Sequence, residues 1–139
     1  MEDRYLFKGK RLDSGEWVQG ALFNGESHCI IGQEIKFSPY TEHECKIVGY
    51  EVDRDTICQC TAVPDRDNTI MFENDVVRAS GGVRGVIRFG RYGDEKTDYG
   101  FYIEWEKSQP YWRNDIYYWQ NELRVIGSYI DNPELLEVE

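Results

Sequence analysis

Alternation of apolar and polar positions predicts a mostly β chain. The clearest run is 99–106, where Tyr99, Phe101, Ile103 and Trp105 occupy one face and Gly100, Tyr102, Glu104 and Glu106 the other, the period of a strand rather than a helix. Upstream, 75–79 and 84–92 are two apolar runs joined by the compact turn Ser80-Gly81-Gly82, and the polar link Gly93 to Asp98 reads as a hairpin loop. The opening 4–23 reads as a hairpin around Asp13-Ser14-Gly15-Glu16. Its second arm, 17–23, has no cleanly polar face, and Asn24-Gly25 ends it with a dipeptide that readily takes positive φ. His28–Ile31 and Ile35–Phe37 read as two short strands, Pro39 interrupts the pattern, and Lys46–Val52, rich in β-branched and aromatic residues, resumes it. Leu123–Ile130 reads as the last strand. Asn132 followed by Pro133 is a helix-start signal for a short terminal helix through Leu136.

Two stretches resist a periodic reading. Residues 53–77 hold Cys58-Gln59-Cys60, a turn signal at Asp65-Arg66-Asp67-Asn68 and a strand-like Phe72–Val77. We read this as a connector between two halves, divided as 1–62 and 63–139 whether or not they form one compact unit. The aromatic run 111–119 is open to a short helix, a loop or a strand, and is taken as a loop or helical turn.

Composition changes this picture in two ways. A chain of 139 residues with 40% hydrophobic and 14% aromatic residues can build a core without a staple. Sixteen basic against 26 acidic residues leave a net charge of −10, so the averaged field repels polyphosphates and anionic membranes and makes nucleic acid an unfavoured partner. Arg78, Arg84, Arg88 and Arg91 cluster in sequence and could form a local basic stripe, although solvated strand edges explain them as well. No stretch of about 18 apolar residues is present, and the opening Met-Glu-Asp-Arg carries no apolar leader segment. The expected location is the cytoplasm, with no membrane partner. Cys29, Cys45, Cys58 and Cys60 are then expected as free thiols rather than a disulfide framework.

Several blocks, taken together and in order, carry a family resemblance. They are Phe7-Lys8-Gly9-Lys10, Ser14 to Gly20, Asp55-Thr56-Ile57-Cys58-Gln59-Cys60-Thr61, Phe72 to Val77, and Val125 to Leu136. With these the chain resembles the YopX family of phage and prophage proteins along its whole length. The resemblance implies a phage-derived cytoplasmic protein whose N-terminal β region is followed by an SH3-like small barrel. It implies no established activity and transfers no catalytic residue. The family pattern at the centre has Gly at 58, an aromatic at 60, Gly at 62 and Gly at 74, where this chain has Cys58, Cys60, Ala62 and Asn74. Asn tolerates the left-handed region, whereas Ala62 would resist any positive φ required there.

Candidate chemistry is sparse. His28-Cys29, His43-x-Cys45 and Cys58-x-Cys60 could supply soft ligands for zinc, but their spacing is poor for a structural site. A thiol nucleophile needs a base beside it, and only His28 and His43 are available. The chain has no phosphate-cradling Gly-rich loop and no metalloprotease motif. We therefore expect no catalytic residues, no metal and no cofactor. The best lead is the aromatic set Tyr111, Trp112, Tyr117, Tyr118 and Trp119, because Tyr and Trp concentrate at interface hot spots; core and rim packing is the alternative. The expectation is a non-enzymatic, self-associating accessory protein with a possible host or phage protein partner. A nucleic-acid-associated adaptor using Arg84, Arg88 and Arg91 is the second reading, and a zinc-binding or thiol enzyme the third.

Overall fold

The computed structural model describes residues 5–36, 45–93, 95–106 and 113–136. The chain is mainly β, with every ladder antiparallel, and it divides into two compact units, Met1–Gln59 and Cys60–Glu139.

In the first unit β1 (Phe7–Lys10), β2 (Trp17–Asn24), β3 (Cys29–Lys36) and β4 (Cys45–Glu51) follow one another as a meander, with the first residues of β5 (Cys58–Pro64) along the free side of β1. The two short strands expected at 28–31 and 35–37 are one continuous strand, β3. Gly32-Gln33-Glu34 does not break it because each residue pairs with β4, as Gly32↔Gly49, Gln33↔Val48 and Glu34↔Ile47; Phe37 and Pro39 lie outside the described residues. Val18, Cys29, Ile31 and Val52 form this unit's core, with Phe7, Leu22, Tyr50 and Ile57 packed on it. A single 3-10 turn at Arg54–Thr56 closes β4 back onto β1, where Thr56 Oγ1 accepts from Lys10 N at 2.8 Å and donates to Asp53 O at 2.7 Å.

The second unit holds a sheet in the order β10-β7-β8-β9, built from β7 (Asp75–Ala79), β8 (Arg84–Tyr92), β9 (Asp98–Trp105) and β10 (Leu123–Ser128). β9 falls where the alternation predicts it. Ile103 and Trp105 are buried, but Tyr99 on the same face is 68% exposed, since the β8–β9 hairpin outruns the core. Met71, Val77, Ile87, Ile103, Ile116 and Leu123 are the heart of that core, and burying each such side chain contributes roughly 1.5–3 kcal/mol.

The stretch taken as a connector carries more structure than its pattern suggests. Phe72–Val77 is not one strand: Phe72 ends β6 (Ile70–Phe72), Glu73-Asn74 turns, and Asp75 starts β7. The end of β5 pairs with β6 through Cys60↔Phe72 and Pro64↔Ile70, with a bulge between. Ladder bonds lost at the bulge are replaced by a side chain, as Thr61 Oγ1 donates to Met71 O at 2.7 Å and accepts from Val63 N at 3.0 Å. The chain turns here through left-handed residues, Ala62 at φ 63° and Asn74 at φ 70°. Both are positions where the resemblance leads one to expect glycine, and Ala62 takes the strained conformation in spite of its Cβ. The terminal helix is one 3-10 turn, Pro133–Leu135, and Asn132 makes no capping hydrogen bond through its side chain.

Candidate functional site

The aromatic segment supplies both structure and surface. Of the five residues singled out above, Tyr111 and Trp112 lie outside the described residues. Tyr117, Tyr118 and Trp119 belong to the one-turn helix α1 (Ile116–Trp119). Ile116 is fully buried and anchors the turn. Trp119 packs edge-on against Trp105 with centroids 5.3 Å apart, and the two indole N–H groups both donate to Arg113 O, at 2.9 and 3.0 Å. Trp119 is therefore part of the fold, whereas Tyr117 and Tyr118 are more than half exposed. The Arg113 guanidinium lies 4.2 Å over the Tyr118 ring and bonds Asp115 at 2.9 Å.

Residues 113–115 cover part of the β9 edge, since Ile103 N donates to Asn114 O and Asn114 Nδ2 donates to Ile103 O, both at 2.8 Å. Beside this segment opens a polar cleft of about 430 Å³ whose lining includes Tyr92, Asp98, Asp115 and Tyr117. Burial, and then the nearby charges of Asp98 and Asp115, push the Tyr92 phenol above its ordinary pKa.

The cysteines are dispersed by environment. Cys58 and Cys60 are fully buried; Cys58 Sγ donates to Thr56 O at 3.3 Å and Cys60 Sγ accepts from Ala62 N at 3.4 Å. Cys29 is buried and bonds Asn24 Oδ1. Cys45 is exposed, but a hydrogen bond to Glu34 raises its pKa, which leaves it less of the thiolate a nucleophile needs. His28 pairs with Glu51 at 2.8 Å; His43 lies outside the described residues. Among the described residues no three His, Cys, Asp or Glu side chains group as metal ligands, and no helix is long and apolar enough to cross a membrane.

Two of the four arginines that cluster in sequence, Arg84 and Arg88, are engaged within the second unit. Arg84 Nη1 donates to Leu135 O at 2.9 Å, pinning the terminal turn. Arg88 reaches Asn74 Oδ1 at 2.7 Å and Glu104 at 3.4 Å while lying 4.9 Å over the Tyr129 ring. Both are occupied in holding the second unit together.

The first unit presents a feature that alternation alone did not single out. Directly opposed residues share a face, and the face away from the core brings together Phe23 and Ile30, opposed across β2–β3, with Ile47 on β4. Phe23 is 64% and Ile47 80% exposed. Two glycines lie beneath the isoleucines: a Cβ at Gly49 would stand 2.8 Å from Ile30 Cγ2, and one at Gly32 3.5 Å from Ile47 Cγ2. The result is an apolar strip on that face, flanked by Glu51 opposite Ile30 and Glu34 opposite Ile47, and among the described residues β4 is the terminal strand on that side.

One family model, described as YopX protein, matches residues 6–137. The chain belongs to the YopX family. The match covers nearly the whole chain, so both units fall within the YopX unit. A search of the curated proteins found no match.

Proposed function

We propose that this YopX protein is a non-enzymatic, cytoplasmic accessory protein encoded by a phage or prophage, and that it works by association, first with a second copy of itself. The observation that carries the reading is the pair of exposed side chains Phe23 and Ile47, with half-buried Ile30 on the same face, next to β4, the terminal strand among the described residues. Exposed apolar side chains rimmed by polar ones, here Glu34 and Glu51, mark an association surface. An open strand edge offers backbone donors and acceptors to a second chain unless it is blunted. Strand β4 is suited to antiparallel pairing with itself. Centred on Val48, such pairing sets each Ile47 opposite the other copy's Gly49 and each Cys45 opposite a Glu51, so the isoleucines rest on glycine as they do within the sheet.

Light scattering tests the reading. A dimer that becomes a monomer on Ile47→Lys, still folded and melting cooperatively but without the concentration dependence of the parent's midpoint, is the expected result. A parent protein that is strictly monomeric at tens of micromolar overturns self-association. A pull-down from infected cells, with Ile47→Lys as control, would then identify any host or phage protein taken up by the same face.

A further inference from the structure

Three arginines that are scattered in sequence converge in the second unit. A groove of about 350 Å³ is lined by Arg66, Arg78 and Arg124 together with Ser80, Glu122 and Ile126. The ladder between β7 and β10 sets Arg78 directly opposite Arg124, and that between β7 and β8 sets Arg78 opposite Arg84. Like charges placed directly across a ladder are destabilising. Arg84 is drawn away to Leu135 O, which leaves Arg78 and Arg124 facing one another.

The third arginine is brought in by a turn anchored on β10. Arg66 N donates to Leu123 O at 2.9 Å, and Val125 N donates to Asp65 Oδ2 at 2.9 Å, so Arg66 is held beside Arg124 by backbone bonds. Arg124 is itself oriented through Nε, which lies 2.7 Å from Asp67 Oδ2. Among the described residues the side chains of Arg66 and Arg78 have no hydrogen-bond or ion-pair partner. With Asp67 and Glu122 counted against the three arginines, the groove carries one net positive charge (+3 − 2) on a chain of net charge −10.

We propose that this groove is a binding site for a compact phosphate group, such as the diphosphate of a small ligand. Guanidinium groups match phosphate oxygens in bidentate geometry, and the groove has the volume of a small-molecule site. The acidity of the rest of the chain selects the size of the ligand. A short phosphate group feels mainly charges within a Debye length, about 8 Å at physiological salt, whereas a nucleic acid strand is carried across surface of the opposite sign. The proposal is independent of self-association, which rests on the other unit.

Inorganic pyrophosphate titrated into the full chain at about 0.15 M salt, where the Debye length is about 8 Å, and followed by calorimetry, is the test. Saturable binding is expected, weakened at least tenfold by Arg78→Gln and by Arg66→Gln, and changed less than twofold by Arg91→Gln, an exposed cation outside the groove. Without ligand the Arg78→Gln protein should melt no lower than the parent, because removing one of two opposed charges relieves repulsion. Absence of saturable binding, equal weakening by Arg91→Gln, or a marked loss of stability in ligand-free Arg78→Gln overturns the site. A single-stranded oligonucleotide that binds more tightly than pyrophosphate overturns the compact ligand.

Discussion

Asp65 and Val125, 60 residues apart in sequence, are joined by a 2.9 Å hydrogen bond from the Val125 backbone N–H to Asp65 Oδ2. The other carboxylate oxygen accepts from Asp67 N and Thr69 N, both at 2.9 Å, and Asp65 is only 6% exposed. One side chain thus closes its own turn and ties that turn to the last strand. Asp65→Ala would leave three backbone donors without their carboxylate partner, at a cost of about 3 kcal/mol. Asp65→Asn, which keeps one acceptor oxygen, should cost clearly less. Urea denaturation of the two variants checks the order, and equal losses would mean that the site needs both carboxylate oxygens and that one acceptor preserves nothing.

Ala62 supplies a prediction of opposite sign. A left-handed conformation costs an L-residue roughly 1–2 kcal/mol, and glycine gives back about 0.5–1 kcal/mol through the entropy of the unfolded chain. Ala62 is exposed, so its methyl contributes little packing. Ala62→Gly should stabilise the protein by about 0.5–1 kcal/mol, seen as a higher denaturation midpoint. Asn74→Gly should not, although φ is similar, because Asn74 Oδ1 holds Arg88 Nη1 at 2.7 Å.

The sequence discloses the strands whose alternation matches burial and misses what depends on partners far along the chain. Ile103 and Trp105 sit on the core face that period two assigns them. The β5–β6 pairing was not legible, because β6 is three residues long and Thr61, Ala62 and Asp65 act there through hydrogen bonds and φ rather than hydrophobicity. The apolar face of the first unit and the arginine groove are products of register. No local pattern announces that Ile47 will lie beside Gly32, or Arg124 opposite Arg78. Closeness in sequence misled in the other direction, since Arg84 and Arg88 are spent inside the second unit.

Among the described glycines of the first sheet, Gly20 has the least room for a Cβ. A Cβ there would run into the carbonyl oxygen of Gly32 and stand 3.1 Å from Ile31 Cγ2. Backbone cannot yield as a flexible side chain would, so Gly20→Ala must push β2 away from β3. A cost of about 3 kcal/mol or more is expected, at or above the upper end of ordinary overpacking. Hydrogen exchange checks where the loss falls: protection should drop across β2–β3 before it drops in the second unit.

Trp119 and Tyr118 are neighbours in α1 with different duties. Trp119→Ala removes an edge-on contact with Trp105 and an indole bond to Arg113 O, and should lower stability by about 2–3 kcal/mol. Tyr118 is 55% exposed, and Tyr118→Ala should stay within about 1 kcal/mol. Thermal melts separate the two. Loss of self-association in Tyr118→Ala, with stability kept, would move the interface from the first unit to this aromatic turn.

The Tyr92 phenol gives the chain a distinct alkaline signature. Its pKa lies above 10 in the folded protein because burial disfavours the phenolate, with Asp98 and Asp115 adding to the effect. On unfolding the group returns to its ordinary value, so between the two values the unfolded state binds fewer protons than the folded one. The resulting stabilisation is complete below pH 10 and is lost as pH rises through the folded pKa. Absorbance titration of the tyrosinate band should show one late-ionising residue that disappears in Tyr92→Phe. Asp115→Asn removes one of the two carboxylate charges while largely keeping the burial, and should bring that step to lower pH without abolishing its displacement. A Tyr92 transition unmoved from that of free tyrosine would mean that the cleft is solvated too freely to tune the groups that line it.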